Sequence, residues 1–256
     1  MRKRSDSVAL DIIKGIIKAI FIIPAMLLAF LIIYLAISQI IFKSAKTKIS
    51  DEGLRIVTDY GTCSLGSSWE YQIYGDDIIE HVSTDELRTG FFTGTSIKET
   101  YLFKPVSEGT AYVSVIGKRG GGYSSHHKLY TVTVDKDLDI SYEECDIKLL
   151  KILPAADCTL TSGDKQLTLT REEMYELQRY LIGHHIDETK PSADLLEGLP
   201  KLETYTDTCY FDVDSGIVYL FDEQGRPYLP IFQIDERILP YFKNYMNGYD
   251  GIKVYQ

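Results

Sequence analysis

The sequence predicts one membrane-spanning helix, then an antiparallel β-sandwich and a small α+β domain. Three observations predict this class: an uncharged apolar run near the N-terminus, a middle region of short β-like runs between turn residues, and a C-terminal region that mixes helical and alternating patterns. The boundaries lie where these patterns change: a cytoplasmic N-terminus at 1–18, the span at 19–42, a linker at 43–52, the sandwich at 53–137 and the α+β domain at 138–256.

The apolar run at residues 19–42 carries no formal charge. At about 1.5 Å per helical residue it covers roughly 36 Å, which is enough to cross the hydrocarbon core of a bilayer. A cleaved signal peptide is the alternative, but its apolar region is usually about 7–15 residues long and ends at a small-residue cleavage site. Because this run is longer and Ser44-Ala45 is a poor cleavage signal, an uncleaved signal anchor is favoured.

Basic residues on the two sides of the run predict its orientation. More of them precede the run than follow it, which favours an N-terminus in the cytoplasm and extracytoplasmic domains at the cell membrane. They are Arg2, Lys3, Arg4, Lys14 and Lys18 before the run, and Lys43, Lys46 and Lys48 after it. Residues 7–18 are either an interfacial helix, which also suits contact with a membrane partner, or the early start of the anchor helix, and the second is favoured.

The charge of the chain bears on its partners. Residues 43–256 contain 22 of the 27 basic residues and 35 of the 37 acidic residues, a net of −13. This acidity argues against nucleic acid and against anionic membrane surfaces as partners.

All the cysteines lie beyond the apolar run, in a compartment that can be oxidising. They are Cys63, Cys145, Cys158 and Cys209. Four thiols allow three pairings, and the sequence does not choose among these or between pairing and buried free thiols. No C-x-x-C pair is present, so a zinc site or a thioredoxin-like motif has no support.

The pattern of the middle region predicts a series of short strands. Turn residues such as Gly75-Asp76-Asp77 and Gly120-Gly121-Gly122 separate them, and the near-regular spacing predicts an antiparallel sandwich. The candidate strands are 69–73, 78–82, 98–104, 111–117 and 127–134.

Four stretches in this region carry a resemblance to a known family. They are 66–71 (GSSWEY), 77–79 (DII), 103–111 (FKPVSEGTA) and 130–134 (YTVTV). In order and spacing they resemble chagasin-type domains, which are immunoglobulin-like sandwiches known as inhibitors of papain-like cysteine proteases. The resemblance covers about a third of the chain and implies an immunoglobulin-like fold for residues 53–137.

The resemblance also implies a partner-binding surface. Family members occlude a protease cleft with three loops at one end of the sandwich, and no reaction is catalysed. Here the first loop has Leu65 and Ser67 in place of the family's threonine and aromatic residue, and the third lacks its proline and tryptophan. The residues implied at or beside the contact loops are Leu65, Gly66, Ser67, Trp69, Gly94, Lys118 and Arg119.

The C-terminal region predicts a helix within a small meander. Thr170-Arg171-Glu172-Glu173 has the pattern of a capping box that opens a helix through about Ile182, with Gly183 as its stop. Alternating runs and a final helix follow, at 204–213, 216–222, 226–234 and 235–246. Asp212-Val213-Asp214-Ser215-Gly216 is explained by a turn without a metal.

The sequence contains no recognised catalytic, metal-binding or phosphate-binding motif. Neither G-x-S-x-G nor H-E-x-x-H nor a phosphate-binding glycine loop occurs, and the adjacent His184 and His185 make a poor metal site. The sequence therefore predicts a protein that is not an enzyme, with no catalytic residues, metal or cofactor.

The function expected from these patterns is that of a membrane-anchored extracytoplasmic binding protein. Its partner is a protein or peptide, for which the resemblance suggests a papain-like cysteine protease, and residues 19–42 contact membrane lipid. The alternative is a sensor or assembly component of a membrane protein complex, which contacts other membrane proteins through residues 7–18 and the anchor.

Overall fold

One long helix, α1 (Arg2–Ser44), precedes a body of antiparallel β-sheets in the computed structural model. The structure describes residues 2–58, 61–62, 68–75, 77–89, 96–119, 122–150, 152, 158–186, 191–204, 206–228 and 230–250. Within α1, Ile20–Ser44 is long and apolar enough to cross a membrane, and an N-terminal signal sequence meets the same criteria. The prediction of a long apolar N-terminal helix is confirmed.

Two antiparallel sheets follow the helix. One contains β1 (Lys48–Ser50), β2 (Gly53–Val57), β3 (Gly61–Thr62), β5 (Ile79–Arg88) and β6 (Ser96–Pro105). The other has the order β4-β7-β8-β9 and contains β4 (Ser68–Tyr74), β7 (Gly109–Arg119), β8 (Gly122–Val134) and β9 (Ile140–Cys145).

The two sheets share one apolar core. Alternate residues of a strand point to the same face, so each sheet contributes a row of inward side chains. The first sheet contributes Leu54, Ile56 and Phe103, and the second contributes Val113 and Val132. All five residues are fully buried. Burying a side chain of this size stabilises the fold by roughly 1.5–3 kcal/mol. The predicted antiparallel β-rich region is confirmed in this form.

Two local features lie near the predicted boundaries of this region. β1 lies inside the predicted linker 43–52 and pairs with β2. At the other end, the Asp135 carboxylate accepts hydrogen bonds from the backbone N–H groups of Asp137 and Asp139, both at 2.9 Å. The chain therefore turns tightly at the predicted boundary, and β9 pairs along β8 within the same sheet.

The C-terminal part is built on an eight-stranded antiparallel sheet of order β10-β13-β17-β16-β15-β14-β11-β12. Its strands are β10 (Lys148–Leu149), β11 (Cys158–Ser162), β12 (Lys165–Leu169), β13 (Ile182–Ile186), β14 (Lys201–Glu203), β15 (Asp207–Asp212), β16 (Ile217–Asp222) and β17 (Ile231–Ile234). Its helices are α2 (Arg171–Tyr180), α3 (Ala193–Leu196) and α4 (Leu239–Asp250).

The capping box predicted for α2 is present. The Thr170 side chain accepts from the Glu173 N–H, and the Glu173 carboxylate accepts from the Thr170 N–H. Gly183 is not the helix stop that the sequence predicts, because α2 ends at Tyr180 and Gly183 lies within β13. A Cβ at Gly183 would lie 1.8 Å from the carbonyl oxygen of Gln233 on the paired strand, so close strand approach explains this glycine.

The predicted turn at Asp212 and the predicted histidine pair are also placed by the structure. The Asp212 carboxylate accepts from the backbone N–H groups of Asp214 and Ser215, so it stabilises the turn between β15 and β16. His184 and His185 are consecutive residues of β13, opposite Gln233 and Phe232. Consecutive strand residues point to opposite faces, which separates the two rings.

The four-stranded sheet and the C-terminal part share apolar packing. Tyr74 and Leu129 belong to the same buried cluster as Leu177 of α2. The Tyr74 hydroxyl donates to the backbone carbonyl of Arg179 at 2.6 Å. Contacts of this kind join the outer face of β4 and β8 to α2, so the two parts of the body are packed together.

The structure also describes three of the four cysteines, with Cys63 outside the described residues. Cys145 and Cys209 are free thiols. Cys158 and Cys209 are both fully buried in the core of the C-terminal part. Burial raises the pKa of the Cys209 thiol well above its usual value, so this side chain stays neutral.

Candidate membrane-proximal site

Of the residues predicted to contact a partner, the structure describes Trp69, Lys118 and Arg119, which lie at one end of the two packed sheets. In the described residues, β4 begins and β7 ends there, and Ser68 is paired with Lys118. Arg119 pairs with Gly122 at the adjoining end of β8. Leu65, Gly66, Ser67 and Gly94 lie outside the described residues. We refer to this end, which contains Ser68, Thr89, Ser96 and Lys118, as the loop end.

Trp69 supports the loop end from inside. Trp69 has only 8% of its surface exposed, and it belongs to the core shared by the two sheets. Its backbone N–H donates to the Glu99 carboxylate at 3.2 Å, and the other oxygen of Glu99 accepts from the Tyr101 hydroxyl at 2.5 Å. Burial, followed by the hydrogen bond to Glu99, raises the pKa of Tyr101, which keeps its hydroxyl a donor. Trp69 therefore links the two sheets.

Lys118 faces the C-terminal part of the body. Its ammonium pairs with the Glu70 carboxylate and lies 5.9 Å from the centre of the Tyr175 ring on α2. Glu70 also lies 3.4 Å from the Arg179 guanidinium of α2. The Lys118 ammonium thus stabilises the contact of β4 and β7 with α2.

The loop end is hydrogen-bonded to the apolar helix. The single proton of the Ser38 hydroxyl is shared between two backbone carbonyls, that of Thr89 just after β5 at 3.0 Å and that of Leu35 in the same helix at 2.9 Å. Ser38 and Thr89 are buried, with 8% and 6% of their surface exposed. Ser38 precedes the helix end at Ser44 by six residues, or roughly 9 Å along the helix axis. The contact therefore lies within the apolar segment, below its final turns.

Lys98 binds the end of the same helix. Its ammonium donates to the carbonyl oxygens of Phe42 and Ala45, at 3.1 and 3.2 Å, and lies 4.9 Å from the centre of the Phe42 ring. The last carbonyls of a helix lack intrahelical donors and carry partial negative charge, so a cation is stabilising there. Phe42 is 7% exposed against this part of the body.

Thr47 holds the segment between α1 and β1 against the body. Its hydroxyl accepts from the Val57 N–H at 3.0 Å, and its carbonyl accepts from the Tyr142 hydroxyl at 2.9 Å. The Tyr130 hydroxyl is also 3.4 Å from the Thr47 hydroxyl. Burial raises the pKa of Tyr130 to about 12, so its phenol is protonated at neutral pH. These hydrogen bonds tie α1 and the segment after it to the sheets. We call this region, formed by Ser38, Thr89, Lys98 and Thr47 with their partners, the joint.

A second concave region lies in the C-terminal part, away from this joint. It is a cleft of ≈ 590 Å³, a size that suits a small ligand or a peptide side chain. Buried Leu160, Phe211 and Met246 form apolar parts of its wall, while Lys165 and Asp214 are exposed at its edge. Among the residues that the structure describes, no group of three or more His, Cys, Asp or Glu is placed to hold a metal ion.

Sequence reasoning missed the residues that make the joint. Ser38 and the adjacent Gln39 are polar residues in an apolar run, Thr89 adjoins a turn, and Lys98 opens a candidate strand. Only a polar residue within an apolar helical run, such as Ser38, carried a usable signal, since such residues often hydrogen-bond to a neighbouring element.

Comparison of the chain with protein-family models, curated proteins and solved structures finds no match. The site is therefore interpreted from its own geometry.

Proposed function

We propose that this chain is a single-pass membrane-anchored binding protein whose immunoglobulin-like sandwich acts on a protein partner held at the same membrane. The single observation that carries the proposal is the buried hydrogen bond between Ser38 of the apolar helix and Thr89 of the loop end. In this proposal the bond holds the loop end against the membrane-spanning helix, and therefore toward the bilayer. The C-terminal part packs beside the sandwich along β4, where α2 contacts Glu70 and Tyr74.

Retention of the helix is part of the proposal. A cleaved signal peptide has no role in the mature fold, whereas this helix buries Phe42 and Ser38 against the body. Removing it would take away the Phe42 carbonyl and leave the Lys98 ammonium with only the Ala45 carbonyl of the connection to β1. These contacts support an uncleaved anchor, and the excess of basic residues before it supports a cytoplasmic N-terminus with the body outside.

The orientation of the loop end favours a sensor or assembly component over a protease inhibitor. A chagasin-like inhibitor needs its loops open to a soluble enzyme, but here the bilayer would lie beside them. The predicted contact residues Trp69 and Lys118 are also engaged within the body. A partner embedded in the membrane can approach this end laterally, and no catalysed reaction is required.

Site-specific photo-crosslinking tests the proposal with a matched pair of positions on one strand. Glu86 and Glu80 are both exposed on β5, toward the loop end and toward the opposite end respectively. A photoreactive residue at 86, in the full chain in its native membranes, is expected to capture a membrane protein. The same residue at 80 is expected to capture little of it.

Two results would overturn the proposal. One is equal capture of the same soluble proteins from both positions. The other is inhibition of a papain-like protease by the full, membrane-reconstituted chain at micromolar concentration, which would restore the inhibitor hypothesis. The intact mass of the membrane-extracted protein tests the anchor separately, since cleavage near Ser44-Ala45 would remove the helix.

A further inference from the structure

A pocket of ≈ 370 Å³ opens beside the end of the apolar helix. Its wall comes from the helix end, the connection to β1, and strands β2, β6, β8 and β9. The lining residues with charged side chains are Lys43, Lys46, Lys98, Lys128 and Glu144. Such a volume lies within the range of about 300–1,000 Å³ that small-molecule sites occupy.

The charge of this pocket is opposite to that of the body around it. Four lysines line it against one glutamate, whose carboxylate lies 3.4 Å from the Lys128 ammonium. Lys98 is held on the helix carbonyls. Lys43 and Lys46 are exposed, and within the described part of the chain no carboxylate lies within ion-pairing distance of either. A body with a net charge of −13 thus concentrates positive charge here.

The position of the pocket specifies where an anion would come from. Lys43 is the first charged residue after the apolar run, so it marks the level where the hydrocarbon ends and the lipid headgroups begin. Lysines at that level attract anionic headgroups. The pocket adds walls on the body side, where the Tyr142 hydroxyl donates a hydrogen bond to the Thr47 carbonyl.

We infer that this pocket binds the phosphate group of a phospholipid from the leaflet next to the β-body. The inference rests on the proposed membrane anchoring, but not on the identity of the protein partner. The lysine ammoniums supply the donors for the phosphate oxygens, and the acyl chains extend along the apolar helix. A bound lipid would fix the height and tilt of the body, and therefore of the loop end, relative to the bilayer.

The test uses native mass spectrometry of the full chain in detergent. The probes are phosphatidylglycerol, a diacylglycerol with the same acyl chains but no phosphate, and inorganic phosphate. Phosphatidylglycerol is expected to bind, and each of Lys43→Gln and Lys46→Gln is expected to weaken it about fivefold, because a lysine near an anionic headgroup contributes about that factor. The double variant is expected to weaken it about twenty-fivefold, since the two factors multiply.

Lys48→Gln is the matched control. It removes the same charge two residues from Lys46, from an exposed position of β1 that does not line the pocket. We expect this variant to bind phosphatidylglycerol like the wild type. An equal loss in Lys48→Gln would show delocalised attraction instead of a pocket and would overturn the inference.

The other probes exclude the remaining explanations. Equal binding of diacylglycerol would show association through the acyl chains alone, and tight binding of inorganic phosphate without a preference for the lipid would assign the pocket to a free anion. Either result overturns the lipid assignment. Circular dichroism of each variant checks folding, and crosslinking at position 86 still tests the protein partner independently.

Discussion

We expect the buried side chain of His127 to couple the stability of this protein to pH. It lies on β8 opposite Ile116, and its Nε2 atom is 3.1 Å from the hydroxyl of Ser114. Its Nδ1 atom is buried and, among the residues that the structure describes, has no hydrogen-bond partner. Burial lowers the pKa of His127 from 6.5 to about 4, because the charged ring would lose its hydration.

The size of the effect follows from this difference in pKa. Above pH 6.5 the ring is neutral in both the folded and the unfolded chain, so it adds no pH dependence. Between pH 6.5 and 4 the unfolded chain binds a proton that the folded chain excludes, and the free energy of unfolding falls as pH falls. A pKa difference of about 2.5 corresponds to a loss of roughly 3 kcal/mol by pH 4.

The measurement compares variants so that carboxylates titrating in the same range cancel. Denaturant unfolding of the full chain in detergent at pH 7 and pH 4 gives the change for the wild type and for His127→Gln. We expect the wild type to lose roughly 3 kcal/mol more than the variant between these two pH values. His126→Gln, which alters the exposed neighbouring residue, is expected to match the wild type.

An equal loss of unfolding free energy in the wild type and in His127→Gln would refute the reasoning. Protonation of the buried ring would then not be coupled to unfolding. An equal reduction of the pH dependence by His126→Gln would also refute it. That result would assign the effect to surface charge and not to the buried Nδ1 atom.

Three further substitutions test the packing of the body by denaturant unfolding. Gly183→Ala is expected to cost more than about 3 kcal/mol, because its Cβ would lie 1.8 Å from the Gln233 carbonyl oxygen, and near-wild-type stability would contradict the close strand approach. Gly248→Ala on α4 has no atom within 4 Å of the added Cβ and is expected to stabilise by about 0.5–1 kcal/mol; a loss would argue against a helix there. Tyr74→Phe removes the donor to the Arg179 carbonyl and is expected to cost about 1–2 kcal/mol, whereas no cost would show that the two parts are not joined by this bond.

Local patterns account for the elements that could be predicted. The apolar run at 19–42 and the capping box at Thr170 are each recognised from one continuous stretch of sequence. Both are present in the structure. Gly183 shows the limit of such reasoning. A glycine after a helical pattern reads as a helix stop, but here it is required by a carbonyl of Gln233, 50 residues further along the chain.

Strand pairing explains most of what the sequence patterns missed. The predicted strand at 78–82 extends to Arg88 because β6 offers a partner along that length. β11 and β12 were not predicted, and they form because each completes the hydrogen bonds of the other at the edge of the eight-stranded sheet. A strand is stable only beside its neighbour, so its length depends on residues that its own pattern does not contain.

The amino-acid sequence alone therefore determines that an apolar helix precedes an acidic, β-rich body. Helix formation and partition into a bilayer depend on local composition, which a single chain displays directly. The relation between helix and body depends on the fold, because the Ser38–Thr89 hydrogen bond joins residues 51 positions apart. In the pocket, Lys43 and Lys46 lie at the helix end by sequence, whereas only the paired strands bring the charges of Lys98 and Lys128 to the same place.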